Sequence, residues 1–250
     1  MLSINPRNEL QAWVIRHNRH HAAANIVDVD PDLNNKLLAF TPNTATDVRG
    51  VRRRIVRRQA QLYPVVALFA TVAFRIDAWR YAVGADSARY PNPRYRLERR
   101  VELLLLCTWV LAWIIGPTIL LGPQRWLSEF VVAQMLLGCH LSWVFAPNHK
   151  GMPLFRPETQ PSFLLHQVLK SRNMSGGWPI AFLCGGLNYQ IEHHLFPAMS
   201  RPHLAACRAH VRAACSAAAI VYTEESPRAI VGSVLRALDD IGRAAVSADS

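Results

Sequence analysis

"LLLLCTWVLAWIIGPTILL", residues 103 to 121, runs for nineteen positions without a charged side chain. At about 1.5 Å of rise per residue, a helix of that length crosses most of a hydrocarbon layer ~30 Å thick. A chain of 250 residues seldom buries a helix that is apolar on every face, so the segment reads as transmembrane. "GPQR" follows at 122–125, and then "FVVAQMLLGCHLSWVFA" at 130–146, which reaches spanning length when counted from Trp126. Two spans joined by four residues predict a tight transmembrane hairpin over 102–147.

Charge sets the expected orientation. The net charge is +11; of 28 Lys and Arg, 17 precede the hairpin, 10 follow it, and Arg125 alone sits in the turn. By the positive-inside rule both flanks are expected in the cytoplasm and the turn outside. The five cysteines, at 107, 139, 184, 207 and 215, form no C-x-x-C pair and suggest no disulfide framework, which suits a reduced, cytosol-facing protein.

The flanks read as helical. "NELQAWVIRHNRHHAAA" (8–24) has Asn8 as a plausible N-cap and neither Gly nor Pro, and it puts Trp13, His17, His20 and His21 on one helical face. "DVDPDLNNK" then ends the helix in turn-forming residues. Six arginines between 49 and 58 alternate with Val51, Ile55 and Val56, ahead of an apolar run too short to span. That pattern predicts an interfacial element at anionic headgroups, in preference to a nucleic-acid patch. The tail from about 204 to 247 is Ala-rich and reads as a helical cap.

"HNRHH" (17–21) and "QIEHH" (190–194) carry the chemistry. On a helix, H-x-x-H-H projects three imidazoles to one side, a geometry suited to metal ions beside the helix or to one ion and a proton relay. A zinc protease helix would carry H-E-x-x-H, and neither cluster does. Several imidazoles at a membrane surface suit iron better, because imidazole serves redox iron and leaves positions open for oxygen. His203 and His210, isolated in the tail, read as surface histidines.

"HNRHH", "NHKG" just after a span, "RNMSGG" and "GGLNYQIEHHLFP" together resemble the membrane fatty acid desaturases, in the branch of bacterial acyl desaturases that share a Q-x-x-H-H third box with front-end desaturases. The resemblance covers about residues 10 to 215. It implies an all-α integral membrane protein, a transmembrane hairpin with a cytosolic helical cap carrying histidine boxes. It also implies two non-haem iron ions, which activate O2 to remove two hydrogens from an acyl chain. By position His17, His20, His21, His193 and His194 match the box ligands, and His149 matches a further family histidine at the end of a span. Gln190 and Asn188 are expected to orient ligands without themselves holding the metal. His140 stays open between a role at the metal and that of a packed intramembrane histidine. His166 is left out, because Gln167 beside it is the residue the resemblance implies there.

The family pattern also carries an H-x-x-x-H box and an earlier hairpin ahead of H-x-x-H-H, whereas the H-x-x-x-H here is His17 with His21. The expectation is therefore an N-terminally shortened desaturase-like domain over 1–250. Its expected parts are a box-bearing, basic region (1–101), the hairpin (102–147) and a cap with the third box (148–250). The implied partners are an acyl-CoA or acyl lipid, O2, the bilayer and an external electron donor of ferredoxin or flavoprotein type, since no His-Pro-Gly-Gly or dinucleotide fingerprint is present. A hydroxylase using the same boxes, or a non-catalytic membrane remnant, are the rival readings.

Overall fold

The computed structural model describes residues 11–85, 95–159 and 161–247. The expected cap at Asn8 lies outside the described residues. The protein is all-α, its strands among the described residues being two two-residue segments, β1 (Asn173–Met174) and β2 (Glu224–Glu225). Among the described residues two compact units share the chain, one within 11–17 and 65–142 and the other within 18–64 and 143–247.

The first unit holds the apolar helices. α5 (Ala70–Val83) packs Ala78 and Ala82 against Leu106 of α6 (Tyr95–Val110). α6 continues through a π turn (Leu111–Ile115) into α7 (Gly116–Leu121), and α8 (Pro123–Phe145) returns. Leu97–Leu121 and Pro123–Phe145 are each long and apolar enough to cross a membrane, as the hairpin reading expected. Only 6% and 11% of their apolar windows are buried in protein, so lipid is the surrounding that these side chains fit.

Gly122, at φ +80° and ψ 152°, makes the reversal between the arms. A side chain there would be strained. Pro117 explains the π turn. It has no N–H and its ring crowds the carbonyl four residues back, that of Trp113. The Trp126 indole N–H donates to that same carbonyl at 2.9 Å, so the freed group is satisfied from the opposite arm.

The apolar run after the arginines is longer than the sequence suggested. α4 (Gln59–Leu68) and α5 together meet the length and composition of a span, but the chain bends by 67° at Phe69, as in a broken span or a re-entrant loop. Gly138 of α8 lies where an added Cβ would collide with the carbonyl of Leu68, and Ser142 donates to the carbonyl of Ala67 at 3.2 Å. Close approach of two backbones requires glycine here.

The second unit is organised around α13 (Pro227–Ser247), an amphipathic helix. One end packs Ala245 with Ala45 of α2 (Pro42–Asp47) and Val56 of α3 (Gly50–Arg57); its middle packs Ile230, Val234 and Leu238 with Met174 and Cys184. The arginine run is divided in use. Arg52 and Arg53 hold the carbonyls of Asn35, Leu38 and Ala245, while Arg49, Arg54, Arg57 and Arg58 are exposed. β1 and β2 pair in parallel, Asn173 opposite Glu224, which brings the start of the "RNMSGG" stretch beside the chain that follows α12 (Arg201–Ala217).

Candidate metal centre

α1 (Gln11–Ala23) carries His17, His20 and His21; a turn after α8 carries His149; α11 (Gln190–Leu195) carries His193 and His194. Within the second unit His20, His149 and His194, all buried, bring a ring nitrogen each to within 4.8 Å of one another. The Nε2 of His149 lies 3.0 Å from that of His194 and 3.4 Å from that of His20.

The opposite nitrogen of each ring decides what these close contacts mean. His20 Nδ1 faces Asp30 Oδ1 at 3.0 Å, His149 Nδ1 faces the Lys170 carbonyl at 3.1 Å, and His194 Nδ1 faces Gln167 Oε1 at 3.2 Å. All three partners are acceptors, so each Nδ1 carries a proton, and the Nε2 of each ring is the atom left to offer a lone pair. Gln167 cannot be turned round, because its Nε2 donates to the His21 carbonyl. Burial holds both His149 and His194 well below the ordinary imidazole pKa, aided by His20 beside the first and His149 beside the second. Ring lone pairs aimed at one small space repel each other unless a cation takes that space. The donor set therefore fits a metal ion.

The supports are built into the local chain. Asp30, in the turn after α1, accepts from the backbone N–H groups of Asn25 (2.8 Å) and Asp32 (2.9 Å). Burial alone would raise its pKa, but the hydrogen bond from His20 contributes to holding it below the ordinary carboxylate value. Asn25, at φ 57°, turns the chain there and donates to the His149 carbonyl. Arg172 fixes the turn bearing His149, donating to the carbonyls of Pro147 and Lys150 while pairing with Glu225 at 3.0 Å. Lys170 and Gln167 lie on or just after α9 (Phe163–Leu169), so one short helix orients two of the three rings.

The other expected residues divide. His21 and His193 meet edge to face, ring centroids 4.7 Å apart, and His21 stacks on His194 at 4.3 Å. His17, one turn ahead of His21 on α1, stacks on Trp13. Gln190 reaches the cluster through its N–H side, 3.0 Å from His149 Nε2, because its oxygen accepts from Asn148. Asn188 is buried and ties its side-chain nitrogen to the Met174 carbonyl, leaving its oxygen without a hydrogen bond. His140 is exposed on α8 and is not among the converging rings. His166 is buried and bonds the Ala24 carbonyl at 3.2 Å. Asp30, Lys170, Asn148 and Arg172 were not anticipated; in sequence only the Asp-rich turn at 28–32 hinted at one of them.

A family model described as fatty acid desaturase matches residues 8–226. This chain belongs to the fatty acid desaturase family. It is 30% identical over 216 residues to the Delta(6)-fatty-acid desaturase fat-3 of Caenorhabditis elegans, covering 81% of this chain and 47% of that protein. It is 29% identical to the acyl-lipid (9-3)-desaturase of Physcomitrium patens (93% of this chain, 44% of the relative). The Delta(8)-fatty-acid desaturase of Euglena gracilis is 27% identical (93% and 56%). The chain spans about half the length of the curated relatives it matches. No solved structure matches it. Within the desaturase match lie every imidazole described above and both membrane-length helices.

Proposed function

We propose that this chain is the box-bearing region of a membrane desaturase, which takes two hydrogens from neighbouring methylenes of an acyl chain and leaves a double bond. The observation that carries the proposal is the convergence of three protein-anchored Nε2 lone pairs from residues 20, 149 and 194. His20, His149 and His194 would hold one iron; His21 and His193, which meet edge to face, would serve the second. Bound iron supplies O2 activation, with two electrons from the substrate and two from an external donor reducing O2 to water.

The chain's own groups then have definite tasks. Asp30, the Lys170 carbonyl and Gln167 keep protons on the Nδ1 atoms, so the Nε2 atoms stay available. Gln190 offers an N–H toward the same space, and Asn188 an unused oxygen close behind β1. The boxes are proposed to face the cytoplasm, where a ferredoxin or flavoprotein reductase can reach them, while the substrate arrives from the bilayer. The substrate is proposed to be an acyl-CoA or an acyl lipid, the latter being what the name of the P. patens relative specifies. The division is proposed as a region with the second histidine box and interfacial basic helices (1–101), a transmembrane hairpin (102–147) and a cap with the third box (148–250).

The test is expression in a host of defined lipid composition, with fatty acid methyl esters analysed by mass spectrometry and iron measured on the purified protein. A new alkene with bound iron supports the proposal. A new alcohol favours the hydroxylase reading, and protein without iron or product overturns it in favour of the remnant.

A further inference from the structure

On α11, Gln190, His193 and His194 fall within about 100° of arc, whereas Glu192 projects from the opposite side, at 100° per residue. Glu192 is fully buried and does not face the imidazole cluster. Its two oxygens are both taken: Asn173 Nδ2 donates to Oε2 and the Tyr222 hydroxyl donates to Oε1, each at 2.7 Å. Asn173 Nδ2 also donates to the Tyr222 oxygen at 2.6 Å, which closes a triangle. The Asn173 oxygen accepts from the backbone N–H of Ile191 at 2.9 Å, in the first turn of α11, a helix with no side-chain cap of its own. A six-residue helix has little rigidity by itself.

We infer that Asn173, Glu192 and Tyr222 form a strut behind the third box, fixing the rotation of α11 and thereby the aim of His193 and His194. The three are positioning residues, contributed by β1, the box and the chain leading into β2. The pairing of Asn173 with Glu224 holds two corners together, and Arg208 and Arg212 hold Glu224 in turn. Burial and the bond to Glu192 push the Tyr222 phenol pKa upward, which suits a hydroxyl that stays a donor. Tyr222 comes from a tail whose sequence pattern showed only a cap.

The inference rests on the metal reading of the site, and the test separates the two. The full chain, purified in detergent micelles without metal, is titrated with Co(II) while the visible ligand-field bands and the melting temperature are followed. Tyr222→Phe keeps the ring and removes the donor; Glu192→Gln keeps the shape and sets an amide N–H against one of the two donors. Both are expected to bind Co(II) about tenfold or more weakly and with displaced bands, at unchanged helical content. Wild-type affinity and bands in both variants overturn the strut, as does a lower melting temperature with unchanged bands, which marks packing alone. If the unaltered chain binds no Co(II), the metal reading falls and the strut's role falls with it.

Discussion

Asp30 shows how one side chain governs another's chemistry. With two backbone N–H groups fixing its oxygens, it can only receive the proton of His20 Nδ1, and that leaves His20 Nε2 bare. Asp30→Asn can present an N–H instead and reverse the ring's tautomer. The expected outcome is iron or Co(II) affinity lower by about 10- to 100-fold, measured by titration of the purified protein. His149→Ala removes the ring that touches both others and is expected to abolish bound metal at the three-imidazole site, read as iron per chain. Acid should act on the same region. Burial, with Arg201 and His20 near, takes His193 from the usual 6.5 to about 4, and burial with Lys170 near does the same for His166. Between those values the unfolded chain takes up protons that the folded one refuses, so stability is full above about pH 6.5 and is lost as pH falls toward about 4. The melting temperature of metal-free protein should therefore drop from pH 7.5 to 5; a flat profile contradicts the assignment. At this scale the imidazoles were legible because their spacing repeats, but their anchors were not. A backbone carbonyl such as that of Lys170 leaves no mark in a sequence, and Gln167 and Asp30 acquire meaning only from what the fold brings against them.

Among elements, the hairpin arms could be read from charge-free length alone, and α1 from its uninterrupted face. The π turn and the bend at Phe69 could not, since both depend on where displaced carbonyls find partners. Gly138 marks another contact of this kind, an ordinary residue in an apolar run until Leu68 is seen against it. Gly138→Val is expected to separate α8 from α4 and lower the melting temperature in detergent by several degrees, whereas a change at exposed Leu136 should leave it unaltered. Short α9 is the least conspicuous element in sequence, yet it contacts His149 and His194. Gln167→Ala should weaken metal binding with little loss of helix, as seen by titration beside circular dichroism.

For the molecule as a whole, the membrane class and family followed from pattern, and the placing of arginines proposes an orientation. A topology test suits that scale. A cysteine introduced at Gln124 is expected to react with a membrane-impermeant maleimide in intact cells, and one at exposed Arg228 only after permeabilisation. Equal labelling of the two would contradict the proposed sidedness.

The bond between Trp126 and the Trp113 carbonyl reaches beyond the finished structure. An unpaired carbonyl in hydrocarbon costs several kcal/mol, and the indole that relieves it comes thirteen residues later, on the descending arm. The ascending helix is thus a poor passenger by itself during biogenesis. Entry becomes favourable once its sequel has left the ribosome, so the two arms should enter the bilayer as a couple.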